Sequence, residues 1–162
     1  MIVVIGCGNT NRCDDGVGPA VLQSLKIRYG GAEPAGLRLI DTGTDGMAAM
    51  FAARGCRSLI IVDACRSNTE PGAVFEIPGA DLEQGYVPTL NLHDFRWDHA
   101  LHAGRMIFRD SFPTDVTVFL IEAETVEFGL DLSPSVSAAA ARVAQRVESL
   151  IQAHLEAVHD DS

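Results

Sequence analysis

The chain predicts an α/β fold: a three-layer α/β/α arrangement around a five-stranded, mostly parallel, twisted sheet with one antiparallel strand. Three observations predict it. Strand and helix signals alternate from Ile2 to Asp63, the pattern of parallel strands joined by right-handed crossovers. The run Ile2-Val3-Val4-Ile5 is apolar without a break, as in a strand covered on both faces. The connection from the third strand to the fourth is too short for a parallel return, which takes about a dozen residues or more.

Each element follows in order. After the strand over residues 2–5, a helix begins with Pro19 in its first turn and carries Val17, Val21 and Leu25 on one stripe; Gly30-Gly31 ends it. Leu37 to Ile40 is the second strand, closing on Asp41. Thr44 to Arg54 reads as a helix with Met47, Met50 and Phe51 inward. Leu59 to Val62 is the third strand, closing on Asp63. Ala73 to Ile77, after Glu70-Pro71-Gly72, reads as an antiparallel or edge strand. Residues 79–92 are loop-like, with Gly79, Gly85 and Pro88; Asp94 to Phe108 is a helix, and Val116 to Ile121 the fifth strand. Ser133-Pro134 opens the last helix as N-cap and N1 proline, with Val136, Ala140, Val143, Val147, Leu150 and Ile151 on one face. With 162 residues the chain has the length of one domain, residues 1–162, with a frayed polar tail from about residue 155.

A net charge of −10 disfavours nucleic acid and anionic membranes, which select basic patches. It suits a metal cation or a partner with a basic segment. The four cysteines, Cys7, Cys13, Cys56 and Cys65, form no C-x-x-C pair, so a reduced, cytoplasmic chain is expected. The residues show no basic n-region followed by a signal-peptide apolar stretch, and no apolar run near the ~20 residues of a membrane span. A monomer is expected.

Residues 6–18 read Gly-Cys-Gly-Asn-Thr-Asn-Arg-Cys-Asp-Asp-Gly-Val-Gly. Gly6 and Gly8 match the first two glycines of a dinucleotide loop, but Asn11 holds the third position. Asp41 stands where a ribose-binding acid would. The pair Asp14-Asp15 would repel a pyrophosphate and suits a cation better. Ligands of such sheets bind at the carboxyl ends of strands where strand order reverses. If strands one and three are neighbours, Asp15 and Asp63 face one cleft there. His93, in the loop before the fourth helix, completes a two-carboxylate, one-imidazole set for Ni²⁺, Zn²⁺ or Mn²⁺, with positions open for water or substrate. His99 and His102, three apart on one helix face, compete with His93 or orient a ligand. Cys7 reads as buried packing and Cys13 as a weak alternative ligand.

Asp41-Thr42-Gly43 spells an aspartic-protease triplet but leads into a helix, so Asp41 reads as a cap. No G-x-S-x-G elbow supports a hydrolase serine. Phe51, Phe95 and Phe108 read as core, and Trp97 as core or as a docking surface beside the cleft. Glu122 and Glu124 read as solvent-facing. Asp14 either caps the first helix or lends charge to the site.

In these motifs the chain resembles the hydrogenase maturation endopeptidases. The family's Gly-x-Gly-Asn segment and its acidic pair before Gly-x-Gly are matched by Gly6-Cys7-Gly8-Asn9 and Asp14-Asp15-Gly16-Val17-Gly18. Its Asp-x-Gly-Thr-x-Gly-Met stretch is matched by Asp41 to Met47, its strand ending in Asp-Ala by Ile60 to Ala64, and its histidine before a helix by His93. Leu132-Ser133-Pro134-Ser135-Val136 fits its last helix start. The resemblance implies a phosphorylase/hydrolase-like fold. It also implies a nickel-dependent endopeptidase that removes the C-terminal extension of a [NiFe]-hydrogenase large-subunit precursor after nickel insertion. Carried onto this sequence, the catalytic, metal-binding residues are Asp15, Asp63 and His93, and the precursor supplies the nickel. Some relatives have a glutamate where Asp15 stands, and Phe95, Trp97, His99 and His102 depart from the small, leucine-rich helix of many members. The alternatives are a non-catalytic nickel-checking chaperone and a dinucleotide-binding module.

Overall fold

Five strands form one sheet in the order β2-β1-β3-β5-β4, in a computed structural model that describes residues 1–83 and 96–160. They are β1 (Ile2–Cys7), β2 (Leu37–Gly43), β3 (Ser58–Cys65), β4 (Val74–Pro78) and β5 (Asp115–Glu122). β1, β2, β3 and β5 run parallel to one another, and β4 pairs antiparallel to β5 at the edge. The sequence predicted this mixed sheet, including its single reversed strand.

The strand period of two divides the apolar residues between two cores. Ile2, Val4, Ile60 and Val62 face helices α1 (Val17–Arg28) and α5 (Pro134–Asp160). Val3, Ile5, Cys7, Leu59 and Ile61 face α2 (Gly46–Ala53) and α4 (Trp97–Phe108). A short helix, α3 (Gly79–Glu83), follows β4. Among the described residues no helix is long and apolar enough to cross a membrane.

β3 overruns its sequence-predicted end. It pairs with β1 only as far as Val62, opposite Gly6, yet continues against β5 through Asp63, Ala64 and Cys65. Asp63 therefore lies inside β3, on the α2–α4 face, at the level where β1 has already turned away. The crevice at the reversal of strand order is the gap left above the end of β1.

Two expectations differ from the fold. Met47 and Phe51 are 44% and 55% exposed rather than inward. α2 has eight residues, GMAAMFAA, so its composition marks no face; Ala49, Met50 and Ala53 take the core side, and Phe51 meets Phe108 edge-on at 5.6 Å. Residues 79–83 are helical rather than loop, with Leu82 packed on the second core. α5 runs to Asp160, and Leu155 packs against the first core.

Candidate active site

The cleft above β1 is lined by Cys7 and Gly8, Asp15, the segment Gly43 to Gly46, Asp63, Arg96 and Trp97, and encloses about 170 Å³. Its floor depends on two glycines. Gly8 has φ +128°, and a Cβ there would lie 1.8 Å from the Asp15 carbonyl oxygen. A Cβ on Gly18 would lie 2.3 Å from the Cys7 carbonyl oxygen and 2.5 Å from that of Val62. No L side chain fits at either place. The start of α1 consequently presses onto the ends of β1 and β3, and the Asp15 turn folds back over the sheet.

Asp15 sits in a 3₁₀ turn, Cys13–Gly16. Its Oδ2 accepts the Asn9 N–H at 2.8 Å. In a phosphate-binding loop that amide would face the anion; here the protein's own carboxylate takes it, which removes the dinucleotide reading. Asp63 is 3% exposed. Its Oδ1 accepts the Ala64 N–H at 2.8 Å, and its Oδ2 accepts Trp97 Nε1–H at 2.7 Å and Arg96 Nη2–H at 3.0 Å. Burial raises the Asp63 carboxyl above the ordinary range, opposed by the Arg96 charge and these hydrogen bonds. Burial lowers Arg96, but Asp63, Asp98 and Asp15 outweigh it and raise the guanidinium. Cys7, pushed up to about 12 chiefly by burial and then by Asp63, is a neutral thiol at the cleft wall rather than a thiolate ligand.

Asp15 and Asp63 do line one cleft, as the sequence placed them. His93 lies in 84–95, outside the described residues, as does Phe95. His99 is a helix-start residue, its Nδ1 accepting the Arg96 N–H at 3.2 Å. Neither His99 nor His102 is among the described residues that line the cleft. Asp15 and Asp63 are two hard oxygen donors of the kind a borderline divalent ion accepts. Among the described residues no group of three His, Cys, Asp or Glu is placed to hold a metal.

Asp14 neither caps α1 nor faces the cleft. It is fully buried and accepts four hydrogen bonds from the segment after β5: Ser133 N–H to Oδ1 at 2.7 Å, and Ser133 Oγ–H, Glu124 N–H and Thr125 N–H to Oδ2 at 2.7, 2.9 and 3.1 Å. Burial raises this carboxyl, but those bonds outweigh it and hold it below the ordinary range. Cys13 N–H to Gly129 O and Gly129 N–H to Asn11 O complete the seam. Glu122 is likewise buried rather than solvent-facing. It accepts from Ser67 Oγ–H at 2.7 Å and from Ser67 N–H at 2.9 Å, and these bonds lower it to about 2.

Sequence reasoning missed Arg96 and left Trp97 undecided. The signal was present: both residues begin the helix that follows His93, and the cleft's acids require a cation or donors nearby.

A family described as "HycI: Hydrogenase maturation protease" matches residues 19–150, most of the chain. The protein belongs to the hydrogenase maturation protease family. It is a peptidase, a maturation endopeptidase by class. It is 28% identical to the Hydrogenase 2 maturation protease of Escherichia coli over 98% of this chain and 99% of that one. It is 31% identical to the Coenzyme F420 hydrogenase subunit delta of Methanothermobacter thermautotrophicus over 90% of this chain and 91% of that one. Among solved structures, the hydrogenase maturating endopeptidase HybD from E. coli superposes with a TM-score of 0.80 at 25% identity, covering 94% of the protease and 93% of that chain.

Proposed function

We propose that this protease removes the C-terminal extension of a [NiFe]-hydrogenase large-subunit precursor after nickel insertion, acting as a cytoplasmic monomer, and that Asp15, Asp63 and His93 contact the nickel the precursor carries. The observation that carries the reading is the convergence of Asp15 and Asp63 on one cleft at the reversal of strand order. The nickel is cargo of the substrate; its charge would anchor the precursor in an acidic cleft and fix the scissile peptide there. A precursor without nickel lacks that anchor and stays uncut.

The two carboxylates have different tasks. Asp63 already serves three donors and is nearly out of solvent, which suits a fixed anchoring charge. Asp15 is half-buried at the cleft mouth with Oδ2 held by Asn9, which leaves it the carboxylate placed to take a proton from an attacking water. The test is to mix the protein with nickel-loaded precursor and read the precursor mass. Loss of a C-terminal peptide with the native chain and none with Asp63→Asn is expected. Normal cleavage by that variant overturns the proposal, and an intact precursor held in complex with the native chain makes the protein a nickel-checking chaperone.

A further inference from the structure

We infer that Arg96 is the resident cation of the cleft: its guanidinium neutralises Asp63 in the resting protease, keeps free divalent ions off that carboxylate, and gives way to the metal that the precursor brings. The inference rests on the reading that Asp63 contacts that metal.

The two partners are unequal. The Asp63 side chain is 4% exposed and the Arg96 side chain 61%. Asp63 is further held by Ala64 N–H and Trp97 Nε1–H. The Arg96 backbone is fixed at the start of α4, its N–H donating to His99 Nδ1 and its carbonyl accepting from Ala100 N–H. The guanidinium is thus the one part of this arrangement able to leave without unfolding a helix turn or moving the carboxylate.

It also has somewhere to go. Arg96 lines both the cleft and an adjoining groove of about 500 Å³ whose other charged residues are Asp15, Asp98, Arg12 and Arg66; Asp98, two positions along the chain, is the carboxylate in reach. A guanidinium that leaves Asp63 swings towards Asp98 and keeps a carboxylate beside it. An ion pair with its cation largely in water is weak and readily exchanged. A second cation at the same buried oxygen must nevertheless compete with it, which is a negative coupling between the two. A free ion has only its own charge to win that competition. A metal held by a docked precursor has the whole protein interface behind it.

The experiment titrates Ni²⁺ alone, near neutral pH, into the native chain, Arg96→Gln, Arg96→Lys and the double variant Arg96→Gln/Asp63→Asn, by calorimetry. Arg96→Gln keeps a donor for Asp63 without charge and binds Ni²⁺ about tenfold tighter or more. Arg96→Lys keeps the charge and binds like the native chain. The double variant loses the gain. In parallel, excess free Ni²⁺ inhibits precursor cleavage by Arg96→Gln at lower concentration than by the native chain. Equal Ni²⁺ affinity of Arg96→Gln and native chain, or a gain that survives loss of Asp63, overturns the assignment. Normal precursor cleavage by Asp63→Asn instead overturns the underlying reading, so the two failures are distinguishable.

Discussion

Asp14→Ala removes the acceptor of four hydrogen bonds at once, and its cost can be worked from the structure. Three of the donors are the backbone amides of Ser133, Glu124 and Thr125, and the fourth is the Ser133 hydroxyl. The carboxylate is fully buried, while Glu124 is exposed and Thr125 and Ser133 are half-buried, so water reaches the abandoned amides in part. Taking the low end of the cost of leaving a donor without its partner, roughly 1 kcal/mol for each amide gives a loss of about 3 kcal/mol. For a chain of this size that corresponds to a fall in Tm of roughly 6–12 °C. The pH dependence is specific. A carboxyl held below its ordinary value in the folded state stabilises above its unfolded pKa and loses that effect as pH falls through its folded pKa. The native-minus-variant difference in urea unfolding free energy should be flat from about pH 5 to about pH 8 and shrink progressively as pH falls below about 4. Asp14→Asn offers one oxygen to donors that need two and should rescue little. A loss below about 1 kcal/mol, or a difference that does not shrink as pH falls below about 4, refutes the staple.

Four further outcomes follow from the geometry. Gly18→Ala places a Cβ 2.3 Å from the Cys7 carbonyl oxygen; a clash with backbone on two strands should cost more than about 3 kcal/mol, seen as loss of soluble protein or of the cooperative thermal transition. Cys7, pushed up to about 12, should react with a thiol reagent near neutral pH far more slowly than Cys13, which is half-buried; mass mapping of labelled peptides over time decides it. Trp97→Phe leaves the ring but removes the 2.7 Å donor to Asp63, costing about 1–3 kcal/mol in chemical denaturation. Because burial raises the Asp63 carboxyl, its contribution is largest below the unfolded pKa near 4 and is lost as pH rises through the folded pKa; the stability of the native chain relative to Asp63→Asn should therefore fall as pH rises from about 4 towards neutral.

Periodicity placed the sheet because a strand buried on both faces is apolar throughout, as in Ile2 to Ile5 and Leu59 to Val62. The short link before Ala73 was enough to mark the reversed strand. α2 was harder: GMAAMFAA is apolar all round, so no pattern separated Met50, inside, from Met47 and Phe51, outside. Asp15 and Asp63 were legible as a pair because sheet topology brings strand ends together. Asp14 and Glu122 were not, since their partners lie in distant loops and a buried carboxylate reads in one dimension like an exposed one. Arg96 escaped for the same reason: its role is set by a residue 33 positions away, not by its neighbours in sequence.

The central claim is that Asp63 couples the precursor's nickel to its cleavage. The most direct measurement is the intact mass of a nickel-loaded large-subunit precursor after incubation with the native chain and with Asp63→Asn, beside a nickel-free precursor as control. Loss of one C-terminal peptide is expected only with the native chain and only from the nickel-loaded precursor. Equal trimming by Asp63→Asn, or trimming of the nickel-free precursor by the native chain, would contradict it.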